Sequence, residues 1–299
     1  MSYHNPVLLQ SSIEGLNINS DGIYVDATFG GGGHSAEILK LLGENAKLIA
    51  FDQDEDAVKN LPPDNRVVFI PQNFRYMKNF LKLYDFIPVD GILADLGVSS
   101  HQFDEAERGF SIRYDGPLDM RMRKSQEKSA REIINEYSEE ELQQIIKLYG
   151  EIKNYRCMAK AIVKYRNNNK IETTFQLIKA VEPCVPDSKK NKILAMLFQA
   201  VRIEVNEELE VLKTFLIQSQ EVLKPGGRLV VISYHSLEDR LVKNFMKTGN
   251  FEGQIKKDFF GNNLVAMKPV LNKVIVPDND EINKNSRARS AKLRIAEKL

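Results

Sequence analysis

The chain is predicted to be an α/β protein, a doubly wound and mostly parallel sheet with a helical insertion after its fourth strand. Two observations predict this. Short apolar runs alternate with helical stripes through residues 23–94, and that alternation then gives way to purely helical spacing from about 105 to 203. Strands are expected at 23–26, 47–51, 66–70 and 91–94, with helical stretches near 34–42, 54–60 and 75–84 between them. Strand–helix–strand repetition of this kind builds βαβ units.

In the insertion, Ser138-Glu139-Glu140-Glu141 reads as a capping box ahead of Leu142, Ile145 and Ile146, and Thr173-x-x-Gln176 as another. Met158, Ala161, Ile162 and Tyr165, and then Leu194, Leu197, Phe198 and Val201, recur at helical spacing and are read as core. Val205, Leu209, Leu212 and Leu216 predict one amphipathic helix, stopped by Lys224-Pro225-Gly226-Gly227. A buried strand over Arg228 to Ser233 and a helix over 236–246 follow. Ala291, Leu293 and Ile295 then alternate with Lys292 and Arg294, a strand's period of two. The expected domains are therefore 1–104 with 204–299, and an inserted 105–203.

The segment Val25-Asp26-Ala27-Thr28-Phe29-Gly30-Gly31-Gly32-Gly33-His34-Ser35 carries the chemistry. The first strand runs into consecutive glycines, and Gly31-Gly32-Gly33-His34-Ser35-Ala36 fits G-x-G-x-x-A as a helix opens. Asp52 follows after about 20 residues, the spacing of a carboxylate that grips ribose hydroxyls. An adenosine-containing cofactor is expected. A pyrophosphate would suit the helix N-terminus, but Asp26 puts a negative charge beside it. A cationic ligand such as S-adenosyl-L-methionine fits better. No G-x-x-x-x-G-K-[ST] occurs, which excludes a P-loop.

Asp95 ends the fourth strand. Asp26, Asp52 and Asp95 should converge where such sheets bind ligands, outside the carboxyl ends of the strands. Asp95 could hold the cofactor's ammonium or accept a hydrogen bond from a reacting amine. Phe74, in Asn73-Phe74 after the third strand, could face an adenine or be core. The stretch Gln102-Phe103, Arg108-Gly109-Phe110 and Pro117 to Arg123 could stack an unpaired base and hold phosphates, or be an ordered linker. His235, after the fifth strand, could be a base or a helix cap.

With 299 residues, 42% of them hydrophobic, the chain suits one large or two modest domains. No apolar run approaches a membrane span. Cys157 and Cys184 make neither a metal pattern nor a disulfide framework, and His4, His34, His101 and His235 are scattered; a reducing cytoplasm and no metal site are expected. The net charge of +1 divides into −9 over 1–107, +7 over 108–202 and +3 over 203–299. Basic middle and tail segments suit a polyanionic partner, unless they are simply solvated helix faces.

Taken together, several segments resemble the ribosomal RNA small subunit methyltransferase H family. They are His4 to Leu9, Thr28 to His34, Asp95 to Ser100, Glu107 to Ser111, Leu118 to Met122, Phe198 to Asn206, His235 to Arg240 and Arg287 to Arg294. The resemblance implies a Rossmann-like methyltransferase sheet and transfer from S-adenosyl-L-methionine to the N4 amine of a cytidine in 16S ribosomal RNA. It implies the small ribosomal subunit as partner, with the oligomeric state open, and cofactor contacts from Gly32, Gly33, His34, Asp52, Phe74, Asp95 and Gln102. The chain departs from the family at Lys192-Ile193-Leu194-Ala195, and its segment 249–284 is shorter than in many members. It also lacks the prolines and aromatic that many amino-methyltransferases carry after the fourth strand. Asp95 is then the candidate to polarise the amine, and Phe103, Phe110 or Tyr114 to stack the base. The alternatives are an amino-methyltransferase of another nucleic acid and a non-catalytic, cofactor-sensing assembly factor.

Overall fold

A computed structural model describes residues 6–299, apart from the side chains of Ser100 and His101; His4 and Asn5 lie outside it. The first compact unit comprises residues 1–97 and 209–299, the second 98–208. The first begins with α1 (Leu9–Leu16), β1 (Ile23–Asp26), α2 (Gly33–Leu41), β2 (Lys47–Phe51), β3 (Val67–Ile70), α3 (Met77–Leu83) and β4 (Val89–Asp95). The second holds α4 (Ser100–Asp104), α5 (Ala130–Glu136), α6 (Glu139–Leu148), α7 (Tyr155–Arg166), α8 (Thr174–Val181) and α9 (Lys190–Asn206). The chain then continues through α10 (Glu208–Val222), β5 (Leu223–Ser233), α11 (Ser236–Thr248), β6 (Met267–Pro269), α12 (Asn279–Lys284) and β7 (Lys292–Lys298).

The sheet order is β3-β2-β1-β4-β5-β7-β6. Strands β1 to β5 pair in parallel, and β7 is antiparallel to both β5 and β6. Alternation along each strand explains the layering. Tyr24, Leu48, Leu93 and Val230 point into one core with α1 and α2, while their neighbours Val25, Ile49, Ile92 and Val231 point into another with α3, α10 and α11. Strands covered on both faces read as continuous apolar runs, which is why they stood out in the sequence. Chain order reverses between β1 and β4, where Asp26 pairs with Leu93. The ligand crevice of a doubly wound sheet belongs at that reversal.

Three expectations need correction. The seams expected at 104/105 and 203/204 fall at 97/98 and 208/209: Val205 belongs to the core of the helical unit and Val98 packs against it. The single helix expected from Val205 to Leu216 is two helices: α9 ends at Asn206, and Glu207 turns left-handed at φ 50°. Finally, Cys157 and Cys184 form a disulfide, with Cα atoms 5.9 Å apart. The two lie 27 residues apart in sequence, but α7 and the turn after α8 bring them side by side.

Candidate active site

The glycine turn is clamped by the strands around it. The Gly30 N–H donates to Asp52 Oδ2 at 2.7 Å, and Asn60 Nδ2 donates to the Gly30 carbonyl at 2.9 Å. Gly32 sits at φ +75°, a conformation that disfavours any other residue, and it precedes α2 without a capping side chain. At Gly33 a Cβ would meet the Pro6 ring at 2.2 Å. Close approach is thus required here by the protein's own packing, a reason the motif alone did not give.

The carboxylates of β1, β2 and β4 cluster at the same edge of the sheet. Asp26 is buried; its Oδ2 accepts from Ser35 Oγ at 2.6 Å and its Oδ1 from the Thr28 N–H at 3.1 Å. Burial pushes its carboxyl above the ordinary range, against the pull of Ser35 and His34. Asp52 accepts from the Gly30 N–H and, at 2.8 Å, from the Asp54 N–H. Burial lifts it to about 6, the two backbone donors pulling down and the charge of Asp26 adding to the rise. Asp95 is also lifted to about 6, chiefly by burial, while His34 and Tyr234 pull it down.

Two contacts hold Asp95 in place. Its Oδ1 accepts the Tyr234 hydroxyl at 2.7 Å, and its N–H donates to Thr28 Oγ1 at 2.7 Å. His34 Nδ1 stands 4.0 Å from Asp95 Oδ2. The other ring nitrogen, Nε2, lies 3.1 Å from the Val7 carbonyl. A carbonyl only accepts, so Nε2 carries the proton and His34 is anchored to the segment before α1. Among the described residues, no Lys or Arg is ion-paired with Asp26, Asp52 or Asp95. Carboxylates withdrawn from water without a Lys or Arg beside them are costly. Such a donor set fits a cationic ligand and not a pyrophosphate.

The remaining expected residues divide. Phe74 is half-buried, its ring edge-on to Phe215 at 5.1 Å. The preceding Asn73 reaches Gln53, next to Asp52, at 2.8 Å, so Phe74 lies close to the site's rim. Gln102 belongs to the helical unit, where it is buried and closes on Ser99. His235 caps α11, its Nδ1 accepting from the Glu238 N–H at 3.4 Å.

Phe110 is only 4% exposed and packs in the helical core, so it is not a free base-stacking ring. Arg108 is buried as well, donating to the carbonyls of Arg121 and Met122. Arg121 is tied to Asp119 at 2.6 Å. Of the stacking candidates in the stretch after β4, Tyr114 is exposed. Sequence reading missed Tyr234, Thr28 and Ser35 as partners of the carboxylates; Tyr234 is 139 residues from Asp95, and no local pattern links them.

The model of the MraW methylase family matches residues 1–299. The chain belongs to that family. Ribosomal RNA small subunit methyltransferase H of Christiangramia forsetii is 58% identical over 299 residues, covering all of this chain and 99% of the relative. The protein of that name from Flavobacterium johnsoniae is 57% identical over the same length and coverage. The solved structure of an rRNA methylase from Streptococcus thermophilus, at 14% identity, covers all of this chain and 99% of that one with a TM-score of 0.42, too loose a likeness to bear on function. Family membership makes this chain a methylase, and the carboxylates, with no Lys or Arg among the described residues paired to them, are the part of it suited to a sulfonium cofactor.

Proposed function

We propose that this protein transfers the methyl group of S-adenosyl-L-methionine to the N4 amine of a cytidine in 16S ribosomal RNA. The observation that carries the reading is the set of carboxylates at the strand reversal of a methylase-family sheet, with no Lys or Arg among the described residues paired to them. When bound, the cofactor supplies a strongly electrophilic methyl group. Asp52 keeps lone pairs beyond those used by Gly30 and Asp54, and offers them to the ribose hydroxyls. Gly32, Gly33 and His34 present the turn, Phe74 offers a ring to the adenine, and the family resemblance adds Gln102.

The cytosine N4 lone pair is delocalised into its ring, so alignment has to supply much of the rate. As the nitrogen–methyl bond forms, positive charge develops on N4 and its N–H becomes acidic. The reading gives Asp95 the role of acceptor for that hydrogen bond and proton. Tyr234 occupies Oδ1, which leaves Oδ2 for the amine or for the cofactor's ammonium. A cytidine within a stem could not enter such a crevice, so the base must be splayed out. The helical unit, net basic over 108–202, is the substrate-recognition part, and the partner is the small ribosomal subunit. The compartment is the cytoplasm, inferred from that partner; no described helix is long and apolar enough to cross a membrane. Tritium transfer from labelled cofactor tests the reading: small-subunit RNA should be labelled and naked DNA should not. Labelling of DNA, or of neither, would overturn it.

A further inference from the structure

Between α11 and β6 the chain forms a small hairpin that the methyl-transfer chemistry does not use. Lys257 bridges Asn263 in antiparallel fashion, and the Leu264 N–H donates to the Lys256 carbonyl at 2.8 Å. Asp258 closes the tip. Its Oδ1 accepts the N–H groups of Phe260 and Asn262, each at 2.8 Å, and its Oδ2 accepts Asn262 Nδ2 at 3.0 Å. These bonds hold the Asp258 carboxyl below its usual range. Gly261 supplies the left-handed turn at φ +87°.

On this tip Phe259 is 98% exposed and Phe260 85%, their rings 5.7 Å apart at 87°. Lys256 and Lys257 lie in the hairpin and Lys268 in β6 just after it, all exposed and none ion-paired among the described residues. Residues 247–273 carry five lysines and two acids, and one of those acids, Asp258, is committed to the turn.

Strand register places the hairpin at the edge of the sheet opposite the carboxylates. It leads into Met267, which pairs with Lys298, and the adjacent Glu297 pairs with Arg228 at the start of the regular part of β5. The run from Arg228 to Ser233 spans about 17 Å. The finger therefore cannot touch the reacting base.

Hydrating two phenyl rings forgoes burial worth about 1.5–3 kcal/mol each, yet the turn beneath them is built and internally satisfied. We propose that this hairpin is a second RNA contact, with Phe259 and Phe260 stacking unpaired bases and Lys256, Lys257 and Lys268 meeting phosphates. The proposal rests on the RNA substrate proposed above. Two rings fall far short of the roughly 1,000 Å² a specific protein interface needs. A base stacked on an aromatic ring is worth about 1–3 kcal/mol by itself. Pairing this patch with its copy in a second chain would also bring the lysines against one another.

The test uses the full-length protein and a labelled, unstructured RNA oligonucleotide, read by fluorescence anisotropy. Phe259→Ala with Phe260→Ala should weaken binding about tenfold or more. KM for small-subunit RNA should rise in proportion, with kcat and cofactor affinity unchanged. Tryptophan at both positions should restore binding, and leucine at both should not. Unchanged binding, or leucine serving as well as tryptophan, would overturn the proposal; so would a loss of self-association on sedimentation, which would identify a protein contact. N4 methylation with an unaffected alanine variant would sink the hairpin proposal alone. Aromatic-dependent binding by a protein that methylates another atom would sink only the proposed reaction.

Discussion

Asp52→Ala removes a carboxylate assigned to the ribose hydroxyls, a charge-assisted pair worth about 1.5–3 kcal/mol. Calorimetry should find S-adenosyl-L-methionine bound roughly tenfold more weakly or worse, and an unchanged affinity in a folded variant would refute the assignment. Asp95 carries a second prediction. Its carboxyl sits at about 6 in the fold against an ordinary 3.8. Between those values the folded state binds more protons than the unfolded chain, so this group's contribution to stability rises as pH falls from 6 towards 4, and at pH 7 its ionised form destabilises the free protein. Asp95→Asn should raise the Tm of the cofactor-free protein at pH 7, by an amount that shrinks towards pH 4. Affinity for the cationic cofactor should move the other way in the wild type, falling as pH drops through 6. A Tm difference independent of pH would mean that the buried charge is not the cause. At this scale the sequence was legible where one residue decided a turn, as at Gly32. It was silent about Tyr234, because a hydroxyl meeting a carboxylate across two strands leaves no local signature.

Legibility at the element scale followed burial. Strands β1 to β5 were readable because sheets covered on both faces demand apolar runs, and the boxes at Ser138 and Thr173 form as their spacing implies. The box at Ser129 and Glu132 went unread, although it has the same S-x-x-E spacing. The break at Glu207 carries neither Gly nor Pro, so nothing in the sequence announced it. The disulfide was missed because its cysteines sit on separate elements that only the fold brings together. Closing a loop of 27 residues should stabilise the helical unit by about 3.5 kcal/mol. Cys184→Ser should therefore lower the unit's Tm under oxidising conditions and have little effect in reductant; an equal loss in both would assign the effect to packing. Lys189 and Lys192, at the start of α9, are exposed and test the charge argument. Replacing both with Glu should weaken RNA binding and flatten its salt dependence, each phosphate contact adding about 0.7–0.9 to the slope. Wild-type affinity and slope would make them ordinary solvated side chains.

Across the whole molecule, charge and architecture divide the labour. The carboxylates sit at the edge of the sheet, in a segment of net −9, while the basic excess lies in the middle and last parts of the chain. The charge split was legible in the sequence because it needs only counting. The second RNA contact was not, because the exposure of Phe259 and Phe260 is set by the fold. These carboxylates are proposed to direct a methyl group to a cytidine amine. Nucleoside mass spectrometry of small-subunit RNA, treated with cofactor and either wild-type protein or Asp95→Asn, tests this proposal most directly. N4-methylcytidine is expected with the wild type, and with Asp95→Asn a rate of formation that falls by more than cofactor binding does. A methyl on a ring carbon or a ribose oxygen, or N4-methylcytidine formed equally fast by the variant at saturating cofactor, would contradict it.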